Sequence, residues 1–119
     1  IIPARGGSKR IKNKNIKNIG NKKLIWYSIN AALKSKYISE VIVSTDCKKI
    51  KSYAENFGAK VPFLRPKHLS TDNAQLIDVV KYMYKELIKV RDRIDLVILL
   101  QPTSPLRDNK DIDSAIKIF

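Results

Sequence analysis

Short apolar runs alternate with stretches of helical spacing along the chain. Ile1 to Pro3 closes a strand, and Ala4 to Asn15 follows as a polar loop bearing Gly6 and Gly7. Leu24, Ile25, Tyr27, Ser28, Ala31 and Ala32 recur at helical spacing and predict a helix over Leu24 to Lys36. EVIVS, Glu40 to Ser44, is β-branched and predicts a buried strand. Thr45 and Asp46 offer an N-cap to a helix over Lys48 to Phe57, and Gly58 stands where a left-handed residue ends it. Lys60 to Phe63 is a short strand, edge or irregular because of Pro62. The loop LRPKHLSTDNA leads to an amphipathic helix on Leu76, Val79, Val80, Met83 and Leu87 that ends near Val90. Asp95 to Leu100, the most apolar run, predicts a central strand. QPTSPLR is the loop after it, and Asp108 or Asp111 opens the last helix.

This alternation predicts an α/β fold, a mostly parallel sheet with helices on both faces. Ligands in such folds bind in the crevice beyond the carboxyl ends of the strands. The unusual polar segments fall there: ARGGSK after the first strand, STD after the second, LRP after the third, LQPTSPLR after the fourth. The helix-to-strand connections SKYIS and NFGAK carry plainer chemistry. One rim therefore holds the candidate site.

Charge sharpens the location. The formal net charge is +13, yet residues 1 to 39 hold ten Lys or Arg and no acid, whereas from Glu40 onward 14 basic residues face 11 acidic ones. An excess gathered around one loop fits a localised anion site. A nucleic-acid-binding module is the rival from another class, but RNP-like aromatics, zinc-ligand spacing and a basic recognition helix are not present in the sequence. At 119 residues the chain is one domain's worth, and no apolar run approaches the ~20 residues of a membrane span. A single Cys47 excludes an internal disulfide and makes the cytoplasm the default compartment. Ile1 in place of Met and a last helix without a stop signal lead us to expect the front portion of a longer protein.

The first loop is not a P-loop, because Gly6-Gly7-Ser8-Lys9 is followed by a long polar stretch rather than a helix. It offers a backbone that approaches phosphates at Gly6 and Gly7, with Arg5, Lys9, Arg10, Lys12 and Lys14 to neutralise them. Duller roles compete elsewhere. Lys12, Lys17, Lys22 and Lys23 suit a solvated face, Cys47 a small filler at a helix start, His68 a loop, and Trp26 and Tyr27 a core or interface. Ser44 and Thr45 suit capping, and Arg107 a loop ion pair or a ligand contact.

Taken together, IPARGGSKRIKNKN, IVSTD, LRP followed by STDNA, and LLQPTSPLR resemble, in order and approximate spacing, the acylneuraminate cytidylyltransferase family. The resemblance spans essentially the whole chain and includes the bacterial legionaminic and pseudaminic acid branch. It implies a Rossmann-like nucleotidyltransferase fold that transfers CMP from CTP to the anomeric hydroxyl of a nine-carbon keto sugar acid, releasing pyrophosphate with Mg2+. It implies that Arg5 and Lys14 act on the reacting phosphates. The nucleotide would be held by Ala4, Arg5, Gly6, Ser8, Lys9, Lys14, Asn15, Arg65, Asn73 and Ala74, with Arg65 and the Asp72-Asn73-Ala74 loop resembling the segment that reads cytosine. Gln101, Thr103 and Ser104 would face the sugar. The metal-binding aspartates and the segment for homodimerisation are expected in a C-terminal part that this chain lacks. None of Asp46, Asp72 or Asp108 is assigned to the metal. Kdo cytidylyltransferases carry Q-G-D-E-P where this chain has Gln101-Pro102-Thr103-Ser104-Pro105, which favours the sialic acid branch. A non-catalytic sugar-nucleotide sensor on the same fold is a further alternative.

Overall fold

The computed structural model describes residues 1–7, 13–104 and 107–119. Two parallel strands lie at its centre: β1 (Ile2–Pro3) pairs with β4 (Val43–Ser44), Ile2 opposite Val43 and Pro3 opposite Ser44. A parallel bridge from Ile42 to Lys60 adds a neighbour beyond β4. On the other side of β1, the Ile1 nitrogen donates to the Ile98 carbonyl at 2.7 Å and the Leu100 N–H donates to the Ile1 carbonyl at 3.0 Å, the slanted pattern of a parallel pair. The lateral order is thus 98–100, β1, β4, Lys60, one half of a doubly wound sheet.

Side-chain alternation in the second strand shows why both faces are covered. Val41 and Val43 point to one face and Ile42 to the other, as the pleat requires. The first face packs with Ile2, Ala4 and Leu100 against α1 (Leu24–Lys34), α2 (Lys48–Asn56) and α4 (Asn109–Ile118), through Ile25, Ile29, Ile50, Ala54 and Ile112. Ile42 packs on the second face against α3 (Leu76–Ile88), through Val79, Met83 and Leu87. The expected α/β architecture, parallel strands between two helical layers, is therefore present.

Several expectations are corrected. The first helix ends at Lys34, not Lys36. There Ser35 turns extended, accepts from the Tyr37 and Ile38 N–H groups, and donates to the buried Asp113 of α4. Cys47, not Thr45 or Asp46, is the N-cap residue of α2. Thr45 Oγ1 accepts from the Cys47 N–H at 3.1 Å and Asp46 is engaged elsewhere. Among the described residues Asp95 to Leu100 lies at one edge of the sheet, beside β1, and Leu96 is 39% exposed. In the Lys60 to Phe63 stretch only Lys60 bridges. Gly58 has φ +102°, the left-handed stop expected of it. Asp108 caps α4 by a reciprocal capping box with Asp111.

One element has no counterpart in the expectations. β2 (Asn18–Ile19) and β3 (Lys22–Lys23) form a hairpin whose tip is Gly20-Asn21, with Gly20 at φ +67°. A two-residue Gly-Asn link between extended pairs is a hairpin signal. The Tyr27 hydroxyl donates to the Ile19 carbonyl and fastens the hairpin to α1.

At the amino ends of the strands, Glu40 accepts two hydrogen bonds from Arg91 (2.7 and 2.8 Å) and one from Lys60 (3.0 Å). These bonds hold its carboxyl down from 4.5 to about 2. The folded state gains from the ionised form, so this contribution is complete above about pH 4.5 and vanishes as the pH falls towards 2. Glu40→Gln is expected to cost about 1 kcal/mol near neutral pH and nothing near pH 2. Denaturant unfolding at the two pH values checks this, and an equal cost at both would contradict it.

Candidate active site

The carboxyl rim of the sheet collects four segments. Ala4 prolongs β1, its N–H donating to the Ser44 carbonyl at 2.8 Å and its side chain buried, so that Arg5 emerges at the rim. The buried Asn15, inside a short 3-10 turn over Lys14–Ile16, donates from Nδ2 to the Arg5 carbonyl at 3.1 Å. Asn13 enters that turn in the left-handed region at φ 57°. The Gly6 N–H donates to Asp46 Oδ1 at 2.8 Å. The first loop is thus fastened at two consecutive residues, by Asn15 from its own far end and by Asp46 from the segment after β4.

The two glycines differ. A Cβ on Gly6 would lie 2.8 Å from Cys47 Cβ, so close packing against the start of α2 demands glycine there. A Cβ on Gly7 would meet nothing within 4 Å, so packing does not account for the second glycine.

Arg65 is the most deeply seated cation described at this rim, 7% exposed. Its Nε donates to Ser44 Oγ (3.0 Å), Nη2 to the Ser44 carbonyl (2.8 Å) and Nη1 to the Leu69 carbonyl (3.2 Å), while its own N–H reaches the Thr45 carbonyl (2.7 Å). Burial lowers its pKa, with Asp46 opposing and Arg5 adding to the shift. The guanidinium therefore braces the loop over residues 65–70 against β4. The Asp72-Asn73-Ala74 turn continues from that brace, closed by Ala74 N–H to Thr71 carbonyl at 3.2 Å. Arg5 Nη2 meets Asp72 Oδ1 at 2.6 Å, which joins the first loop to this turn.

The structure brings Arg5, Gly6, Asn15, Arg65 and the 72–74 turn together, with Asp46 and Asp72 among them. Lys14 lies in the same 3-10 turn as Asn15, half-buried, and Asn73 is exposed. Gln101, Thr103 and Ser104 are exposed on the loop after Leu100; the Ser104 N–H donates to the Gln101 carbonyl, and so does Arg107 Nη2 at 3.0 Å. Arg107 is thus a loop tie. Ser8 and Lys9, with Lys12, lie outside the described residues. Asp46 and Asp72 stand in the IVSTD and STDNA segments, but their partners lie 40 and 67 residues away in sequence, so the pairing itself carries no local signal.

Among the described residues no three of His, Cys, Asp and Glu gather as a metal site. Asp46 is bound to Gly6, Asp72 to Arg5, and Asp108 to the cap of α4. These residues do not by themselves fit a divalent ion, and no chemical step is derived through one. A cavity of about 260 Å3 lies at the opposite end of the strands, lined by Ile1, Glu40, Arg91, Arg93 and Asp95 among others. Its charged side chains pair with one another, Glu40 with Arg91 and Arg93 with Asp95, and none of the candidate nucleotide- or sugar-binding residues lines it.

The family described as Cytidylyltransferase matches residues 1–118. CMP-N,N'-diacetyllegionaminic acid synthase of Legionella pneumophila is 42% identical over 99% of this chain and 51% of its own length. Pseudaminic acid cytidylyltransferase of Campylobacter jejuni is 47% identical over 94% and 48%. N-acylneuraminate cytidylyltransferase of Escherichia coli is 40% identical over 100% and 27%. The chain spans about half the length of the first two and about a quarter of the third. Among solved structures, CMP:2-keto-3-deoxy-manno-octonic acid synthetase complexed with CTP superposes with a TM-score of 0.78 at 27% identity, over 98% of this chain and 44% of that one. A cytidylyltransferase from Leptospira borgpetersenii gives 0.72 at 25%, over 99% and 46%. With the parallel sheet and the rim both in place, the chain belongs to the cytidylyltransferase family.

Proposed function

We propose that the protein carrying this chain transfers CMP from CTP to the anomeric hydroxyl of a nine-carbon keto sugar acid of the sialic, legionaminic or pseudaminic type. The observation that carries this is the convergence of Arg5, Gly6, Asn15, Arg65 and the 72–74 turn on one rim. The activities for which the relatives are named support the nucleotide and the acceptor class.

The sugar hydroxyl oxygen attacks the α-phosphorus of CTP, its proton departs to a base, and the bond to pyrophosphate breaks. No covalent enzyme intermediate is needed. Charge grows on the equatorial and leaving oxygens, where the Arg5 guanidinium and the Lys14 ammonium stabilise it. Gly7 lets the backbone approach the phosphates, and Ser8 and Lys9 belong to the same proposed cradle. Ala4, Asn15, Arg65, Asn73 and Ala74 position the nucleotide, with Arg65 acting as the brace beneath the cytosine segment. Gln101, Thr103 and Ser104 face the acceptor. Mg2+ is proposed as the metal. The relatives extend well beyond the matched region, and we assign the metal ligands and a homodimer contact to that additional part. No helix among the described residues is long and apolar enough to cross a membrane; a cytoplasmic location is part of the proposal.

A Kdo-type acceptor is the second reading, favoured by the likeness to the Kdo synthetase fold. Gln101 separates the acceptor side from the nucleotide side. Gln101→Ala is expected to raise the sugar's KM or lower kcat by about tenfold while leaving CTP affinity nearly intact. Steady-state kinetics with each substrate varied in turn checks this, and an equal loss in CTP binding would place Gln101 on the nucleotide instead.

A further inference from the structure

The Arg5–Asp72 pair sets a cation intended for phosphate against a carboxylate of its own chain. The two side chains are 30% and 35% exposed, so the pair stands at the mouth of the rim, open to solvent and to a ligand. Backbone fastening leaves Arg5 little other freedom. Its carbonyl is held by Asn15 and the next N–H by Asp46, so the side chain is what can change partner. Asp72 sits on the turn between Thr71 and Ala74, beyond the Arg65 brace at Leu69 and the Ser70 hydroxyl's bond to the Pro66 carbonyl at 2.9 Å. Arg65, with three guanidinium bonds to Ser44 and Leu69, is already committed, and among the described residues Arg5 is the recorded ion-pair partner of Asp72. Asp72 Oδ1 occupies the Nη2 side of the guanidinium at 2.6 Å. A phosphate oxygen that takes that same N–H displaces the carboxylate, and the repulsion between the two anions on one guanidinium favours its withdrawal.

We propose that Asp72 is a positioning residue and an internal competitor for Arg5: it holds the guanidinium across the mouth and yields it when the polyphosphate of a nucleotide arrives. This rests on the proposed CTP site and assigns what holds Arg5 before that site is filled. Because Asp72 belongs to the turn expected to read cytosine, release of Arg5 to the triphosphate frees this turn to close on the base. Phosphate engagement and base reading are thereby coupled through one ion pair.

Binding of CTP, CMP and inorganic tripolyphosphate to wild type, Asp72→Asn, Arg5→Ala and the double variant tests this, using calorimetry at low and high salt on the protein from its complete reading frame. Asp72→Asn is expected to bind tripolyphosphate and CTP about threefold or more tightly at low salt, with a smaller gain for CMP and the gain shrinking at high salt. In the Arg5→Ala background the Asp72→Asn gain should disappear. A gain that persists there means plain repulsion rather than competition for Arg5, and overturns the proposal. Unchanged or weakened tripolyphosphate binding in Asp72→Asn also overturns it, since a merely structural Asp72 predicts loss for every ligand. Asp72→Ser, which removes the charge with a smaller side chain, must behave as Asp72→Asn does. If CTP is not preferred over tripolyphosphate while the gain is present, the cytidylyl-transfer reading fails and the internal competition stands.

Discussion

Arg5→Ala is expected to lower kcat by about 10², roughly 2.7 kcal/mol of transition-state stabilisation, with the fold retained. The side chain ends in an exposed ion pair, whereas the backbone at residues 5 and 6 is held by Asn15 and Asp46, neither of which needs the guanidinium. Loss of the pair with Asp72 costs at most about 1 kcal/mol of stability. The catalytic cost is larger because charge grows on the phosphate oxygens only as the bond to the leaving group breaks, and a fixed cation stabilises that state more than the ground state. Pyrophosphate release at saturating CTP checks this, with circular dichroism to confirm folding. An Arg5→Ala protein with near-normal turnover would remove Arg5 from the reaction.

Arg65→Ala is expected to have the opposite character, about 2–4 kcal/mol of lost stability. Truncation leaves the Ser44 carbonyl, the Ser44 hydroxyl and the Leu69 carbonyl without their donor in a buried setting. The loop over residues 65–74 then loses its tie to β4, so CTP affinity should fall along with stability. Arg65→Lys should recover less than half, because an ammonium on a flexible stem cannot reproduce a planar fork that reaches two residues at once. Urea denaturation and CTP titration together check this. Wild-type stability in Arg65→Ala would show that the brace does not carry the loop.

The contrast between these two arginines marks where sequence reasoning ends. Both stand just past a strand end, and in the sequence both look like ligands. Arg65 is turned inward because Ser44 and Leu69 present two carbonyls and a hydroxyl at the right spacing, a fact of tertiary geometry across 21 residues. The helices and the sheet direction were legible because periodicity is local: Val41, Ile42 and Val43 face alternate sides, and Val79, Met83 and Leu87 face one side. The ends were less so. Helix α1 stops at Lys34 because Ser35 is engaged by Asp113, 78 residues later. The Gly20-Asn21 hairpin was legible in principle, but its flanking strands are two residues each, the second of them two lysines, and do not stand out. The Asp95–Leu100 run reads as central from its apolarity, yet among the described residues its backbone bonds only to Ile1. The rim motifs were legible as a set, Asp46 and Asp72 among them, whereas the partners of those carboxylates, the Gly6 N–H and Arg5, were not.

The central claim is that this rim serves transfer of CMP to a nine-carbon keto acid. Its most direct test is pyrophosphate release by the protein from its complete reading frame, with CTP or UTP and a panel of sialic, legionaminic and pseudaminic acids alongside Kdo, with and without Mg2+. The account predicts Mg2+-dependent release with CTP and at least one nine-carbon acid, little with UTP, and less with Kdo. Release with Kdo alone would move the protein to the other acceptor class, and CTP binding without release from any acid would contradict the claim.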